Sequence, residues 1–409
     1  EQLEFIVSGA EISSTGFFFH LMGYQRKVLL DFREVYDADG RYKSLHEQLN
    51  GRGVDSIERA LSEMNLAPFH NSLVHLFTSI KFSRLILSLD LTSQNEVEIP
   101  RLDEEVSRIY TNLNKIKKLN LSAGDVIEKI ASNISMINDF NNAFLKAASS
   151  KRPAKWIGEV KSILYNENYT LRKKEISFLL INNILFKILR SDENVKADIK
   201  VFDELLLWKP LFEIFGHLRY DDPGKSYELS KALFVSDFSF VDENGTIVSE
   251  HKSETKLHGK RFRNSSDAIN NYLLKMLEND MIRSFIQVNE YGGIKYFNKE
   301  RIEEFVKWSL IVSVVNGISQ ILINRKLYKK SFADSLKLAY ERYSNVIERI
   351  SKSEYKIENL IALKELKMTR KVKVIKKTAI KKVSANKKTQ SKIESKKIEK
   401  EKSKDKQMK

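Results

Sequence analysis

Paired carboxylates come first, because cleaving a glycosidic bond takes two of them on either side of it. Asp31 and Glu34 stand near one apparent strand, Asp237 and Asp242 near another. Neither spacing is distinctive, and Arg33 beside the first pair reads as a charge partner for solvated acids. The seven histidines, at positions 20, 46, 70, 75, 217, 251 and 258, form no HExxH or similar cluster. His70 and His75, five apart, do not share a helical face well. No GxSxG elbow, GxxxxGK[ST] loop or GxGxxG occurs. Gly51-Arg52-Gly53 is too short to cradle a phosphate and reads as a tight turn. No catalytic residue, cofactor or metal ligand is expected on these grounds. One stretch remains, the aromatic, glycine-containing loop Tyr291-Gly292-Gly293-Ile294-Lys295-Tyr296-Phe297. Tyr291 and Tyr296 are candidates for stacking on sugar rings, although closing a core is the commoner use of such aromatics.

The charge is concentrated at one end. Of the net +16, the segment Lys367–Lys409 carries +14, from 18 basic against 4 acidic residues. The other 366 residues carry only +2. A basic protein usually points to nucleic acid or an anionic surface, but here that inference belongs to the tail alone. The tail is low-complexity Lys/Ser/Thr, expected to be disordered, and lacks the interleaved aromatics that stack on bases. It would hold polyanions weakly, through phosphate contacts only. The 42% hydrophobic content suffices for a large core. The absence of cysteine excludes thiolate catalysis, zinc ribbons, iron–sulfur clusters and a disulfide-stapled fold. It also gives the one indication of compartment, a reducing cytoplasm.

The elements that must position these residues read as mainly α. Residues 1–36 look like strands, with Phe17-Phe18-Phe19-His20-Leu21 and Val28-Leu29-Leu30-Asp31-Phe32 separated by a turn at Met22-Gly23-Tyr24. Two short strands form no stable sheet alone, so this is expected to be the truncated end of a β domain. The chain begins with Glu1 and an apolar run, Leu3–Val7, which reads as a polypeptide continuing upstream. Five Asn-X-Ser/Thr triplets, at Asn120, Asn133, Asn168, Asn244 and Asn264, are unsurprising in an Asn- and Ser-rich chain. Residues 37–366 read as a helical domain, with apolar residues recurring at steps of three and four. Pro68 is expected to interrupt it. A β-hairpin is expected near 233–251, from the β-prone run Leu233–Phe240 followed by Asn244-Gly245. Asn298 is placed to cap a helix whose stretch Trp308–Val315 is apolar on nearly every side. That stretch is shorter than the roughly 18–20 residues of a membrane span, so a buried helix, anchored by Phe305, Trp308 and Ile311, is expected.

Three stretches resemble the region that follows the catalytic barrel in large bacterial members of the alpha-amylase family of glycoside hydrolases. They are Tyr24-Gln25-Arg26-Lys27-Val28 into Leu30-Asp31-Phe32-Arg33-Glu34-Val35, then Leu49–Val54 with Ser56-Ile57-Glu58 and Leu66-Ala67-Pro68, and Val288–Gly293 with Phe297–Arg301 and Glu303-Glu304. They span about a fifth of the chain. In that family a β domain ends in a strand similar to Leu30–Val35, and a helical region follows. At Tyr291 and Tyr296 the family pattern has tryptophan. The resemblance implies an α-glucan context, with an Asp nucleophile and a Glu acid/base on a (β/α)₈ barrel outside this chain. No family catalytic motif has a matching position here, so this chain alone is expected to hydrolyse nothing.

On this reading Asp31, Phe32 and Arg33 end the β domain, Gly51 and Gly53 shape the turn into the helices, and Asn298 and Trp308 set the central helix. The expected partners are the chain's own upstream barrel, an α-glucan, and nucleic acid only weakly through the tail, with no membrane. The rival expectation is a stand-alone helical interaction module with a polyanion-binding tail.

Overall fold

The computed structural model describes residues 3–17, 20–89, 99–148, 157–158, 160, 173–190, 199–236, 265–323 and 330–360. The expected hairpin beyond Ser236 and the basic tail lie outside the described residues. The described chain is mainly helical and separates into two compact units, Glu1–Val235 and Ser236–Lys409.

The first unit is built on a long helix. Its elements are α1 (Gly9–Thr15), α2 (Arg41–Leu49), α3 (Ile57–Thr78), α4 (Ile80–Ser88), α5 (Asp103–Ile116), α6 (Ala123–Ala148), α7 (Lys173–Leu189), α8 (Lys200–Glu204), α9 (Trp208–His217) and α10 (Pro223–Val235). Helix α3 packs against α2, α4, α5 and α9, burying Leu66, Phe69, Leu73, Leu76 and Phe77. Its start is satisfied twice. The Ser56 hydroxyl accepts from the Arg59 N–H, and the Glu4 carboxylate accepts from the Ile57 N–H at 2.7 Å. An acid there also favours the helix dipole. The same approach forms an isolated antiparallel bridge between Glu4 and Val54.

Pro68 does not end this helix, contrary to expectation: α3 runs through it. The apolar residues on both sides continue one buried stripe, and that burial outweighs the hydrogen bond a proline removes. Pro210 is the third residue of α9 and Pro223 the first of α10, positions whose N–H groups would lack intrahelical partners anyway. Leu233, Phe234 and Val235, expected to open a β-hairpin, are the last turn of α10, with Leu233 and Phe234 buried. Leu229, Ala232 and Leu233 continue a helical spacing that overrides the β propensity of the run.

The second unit contains α11 (Ser265–Glu278), α12 (Asp280–Phe285), β1 (Asn289–Tyr291), β2 (Ile294–Tyr296), α13 (Lys299–Ile323) and α14 (Lys330–Lys352). Helix α14 packs against α13 and α11. Along α13, Ile302, Phe305, Val306, Trp308, Leu310, Ile311 and Val315 are buried. Two buried serines there are satisfied within the helix: the Ser309 hydroxyl donates to the Phe305 carbonyl, and Ser313 to Ser309. No helix among the described residues is long and apolar enough to cross a membrane.

One buried histidine ties α3 to the turn before α9. His70 is 6% exposed, and its Nε2–H donates to the Leu205 carbonyl at 2.7 Å. The next residue, Leu206, has φ +44°, a left-handed conformation that an apolar side chain rarely adopts. Burial pushes the imidazole below its ordinary value and nearby Lys209 adds to this, against the opposing Leu205 carbonyl and Glu63. The folded imidazole therefore stays neutral to lower pH than the unfolded one, and unfolding takes up a proton as pH falls below about 6.5. Its contribution is complete above that pH and is lost as pH falls toward the lower folded value. The urea midpoint is expected to fall between pH 7.5 and 5.5, and His70→Gln is expected to flatten that part of the profile.

Candidate functional site

The loop singled out for its aromatics is a two-stranded hairpin. β1 and β2 pair antiparallel in the register Asn289↔Tyr296, Glu290↔Lys295 and Tyr291↔Ile294. Gly292 and Gly293 form the turn with φ +59° and +76°, the pair of positive values a two-residue turn of this twist requires. Residues paired across a ladder share a face and alternate along each strand. Tyr291, Ile294, Asn289 and Tyr296 therefore share one face, and Glu290 and Lys295 the other. Tyr291 is 82% exposed and so closes no core. Tyr296 is half-buried.

The hairpin is clasped by the segment after α14. Tyr296 forms an antiparallel bridge with Lys356, the Phe297 N–H donates to the Tyr355 carbonyl, and the Lys295 N–H donates to Glu358. Glu354 and Tyr355 have φ +52° and +62°, two consecutive left-handed residues that turn the chain back toward β2. The Phe297 and Tyr355 rings meet edge to face with centroids 6.0 Å apart. The Lys299 ammonium lies 5.6 Å from the centre of the Tyr355 ring, and a hydrogen bond with that side chain holds its pKa above the ordinary value.

At the base of the hairpin, Asn298 acts as predicted. Its Oδ1 accepts from the Arg301 N–H at 3.2 Å, and its Nδ2 donates to Gln287. Its backbone N–H donates to Ile286, so one residue joins the end of α12, the hairpin and the start of α13. Arg301 reaches back to the Phe285 carbonyl. Trp308, on the same helix, is buried. The clasping residues Tyr355, Lys356 and Glu358 carried no local signal, because they lie some sixty positions from their partners.

The N-terminal candidates lie elsewhere, in the first unit. No strand forms among the described residues of 3–36, in contrast to the expected β pair. Residues 9–15 are helical, and 25–36 are irregular. The turn at Met22–Tyr24 is present, with the Gln25 N–H donating to Met22. Without a third strand or a covering layer, two short strands have too little to hold them together. Val28, Leu30 and Phe32 are 73%, 71% and 68% exposed. Asp31 has φ +54°; it and Glu34 are exposed and flank exposed Arg33. Asp237 and Asp242 lie outside the described residues. The two glycines shape the turn differently. Gly51 follows the left-handed Asn50 with φ +77°. Gly53 is open to close approach: a Cβ there would sit 2.7 Å from the Phe5 ring and 2.9 Å from the Leu3 Cβ.

Among the described residues no three histidines or acids gather as metal ligands. A cleft of about 190 Å³ opens between Pro100–Val106 and α6, lined mainly by Leu102, Val106, Ile127, Ile130 and Ile134. Arg101 at its mouth pairs with Asp103 at 2.9 Å. Ser135 and Asp103 also line it, but the Asp103 carboxylate is engaged by Arg101 and the rest of the lining is mostly apolar. No family model matches the chain, and neither a curated protein nor a solved structure matches it.

Replacing Asn298 with Ala is expected to cost about 1 kcal/mol, the usual worth of an N-cap side chain. Asn298→Ser, which keeps an acceptor oxygen, is expected to recover most of it. Urea unfolding followed by tryptophan fluorescence provides the check.

Proposed function

We propose that this chain is a non-catalytic helical region of an alpha-amylase family glycoside hydrolase. It would pack against the rest of the enzyme through residues 20–36. The reading rests on the resemblance in Leu30–Val35, Leu49–Val54 and Val288–Gly293. The observation that carries it is the exposure of Val28, Leu30 and Phe32. Uncovered apolar residues in succession mark a surface that another layer covers. A sequence of strand character with no sheet to join fits the end of a β domain whose other strands lie upstream. The bond cleaved, the nucleophile and the acid/base would then belong to that upstream part. The cysteine-free composition fits a reducing compartment.

A second reading is supported by the charge of +14 in Lys367–Lys409. A free-standing helical module would use it to hold a polyanion, with retention on heparin that falls steeply with salt.

Two measurements separate these. The DNA upstream of Glu1 is expected to stay open and to encode alternating strands and helices followed by a β domain. A start codon within a few residues of Glu1 overturns the enzyme reading. Leu30→Asp is expected to change the stability of the 409-residue chain by less than about 0.5 kcal/mol, as for other exposed positions. In the full-length protein it should cost about 2 kcal/mol, the scale of a buried leucine. An equal effect in both contexts means that nothing covers Leu30.

A further inference from the structure

We propose that the face of the β1–β2 hairpin carrying Tyr291, Ile294 and Tyr296 is a stacking site for a neutral oligosaccharide. Tyr291 is the most exposed aromatic among the described residues of the second unit, at 82%, yet it sits on a tightly fixed element. The turn is set by two glycines in left-handed conformation, and the outer edge of β2 is occupied by Lys356 and Glu358. A ring presented from such a support loses little freedom when a ligand covers it. Tyr296 lies diagonally across from Tyr291 on the same face, about 7–8 Å away, a span that successive rings of a sugar chain can cover. Asn289, also on that face, is exposed and offers an amide to hydroxyl groups.

Three features select the occupant. The outer edge of β2 is already paired, and β1 offers an edge of only three residues, too short to hold a peptide as a further strand. The face is small, roughly 10 Å by 5 Å from strand rise and spacing, far below the ~800 Å² per partner of a stable protein interface. Glu290 and Lys295 are cross-strand partners on the opposite face, and Lys356, paired with Tyr296, has its ammonium 3.4 Å from the Glu354 carboxylate, so the aromatic face carries no unbalanced charge. A flat, uncharged ligand with apolar C–H faces and hydroxyl edges fits all three, as a pyranose chain does.

Narrowing the sugar to an α-1,4-glucan rests on the function proposed above. The test is affinity electrophoresis of the 409-residue chain in gels containing amylose, with dextran and xylan gels alongside. Retardation in amylose is expected. Tyr291→Ala should weaken it about tenfold, roughly the loss of one well-placed ring contact. Tyr291→Trp should preserve it, which distinguishes loss of the ring from loss of the hairpin. Phe212→Ala, at a half-exposed aromatic of the first unit, should leave it unchanged. No retardation in any gel, or retardation that Tyr291→Ala leaves intact, overturns the site. Tyr291-dependent retardation in dextran or xylan alone keeps the site and removes the α-1,4-glucan assignment. An upstream barrel with no retardation leaves the enzyme reading standing without this site. Tyr291-dependent retardation with no upstream barrel leaves the site standing without that reading.

Discussion

Burial of one stripe of α3 is the constraint that organises the first unit. Leu66, Phe69, Leu73, Leu76 and Phe77 are each less than 4% exposed, and the helices packed on α3 exist as neighbours because they cover that stripe. A Leu or Phe side chain taken out of water contributes on the order of 1.5–3 kcal/mol. Several together exceed the ~3 kcal/mol that a proline within a helix costs. The neutrality of His70 follows from the same packing. A side chain on this helix reaches the Leu205 carbonyl only because α9 is held against α3, and the burial that brings them together disfavours the charged ring.

The second unit depends on hydrogen-bonded turns as much as on apolar burial. Asn298 satisfies the start of α13, meets Ile286 through its backbone and holds Gln287 through its amide. These contacts set where the hairpin leaves the helical body. Tyr355 and Lys356 then fix where it ends, at the cost of two consecutive left-handed residues. A three-residue strand pair is marginal alone, so the strain at Glu354 and Tyr355 is sustained by the hydrogen bonds it permits. The result is a fixed projection whose β2 edge is paired and whose aromatic face is open.

Local signals in the sequence were enough for the helical class, the cap at Asn298, the burial of Phe305, Trp308 and Ile311, and the turn at Met22–Tyr24. Each depends on neighbours within four residues, where periodicity and capping chemistry operate. The misreadings arose where distant contacts decide. Leu233–Val235 is β-prone in isolation but completes a helix because its stripe faces a core. Pro68 reads as a break until the burial on both sides is seen. The tyrosine loop showed its two glycines and its aromatics, but not the register that puts Tyr291 and Tyr296 on one face. Nor did it show the clasp from Lys356 and Glu358, some sixty residues away.

Residues 20–36 and the hairpin pose opposite physical problems. The N-terminal segment has apolar side chains and a strand-like sequence with no sheet, so its backbone and its side chains both call for a partner of substantial area. The hairpin has its β2 edge paired and leaves a small aromatic face, so it calls for something small. A protein layer answers the first and not the second; a sugar chain answers the second and not the first. These two exposed apolar features are therefore not alternative docking sites for one partner. The function proposed above assigns each its own occupant, an upstream β domain for residues 20–36 and a glucan chain for Tyr291.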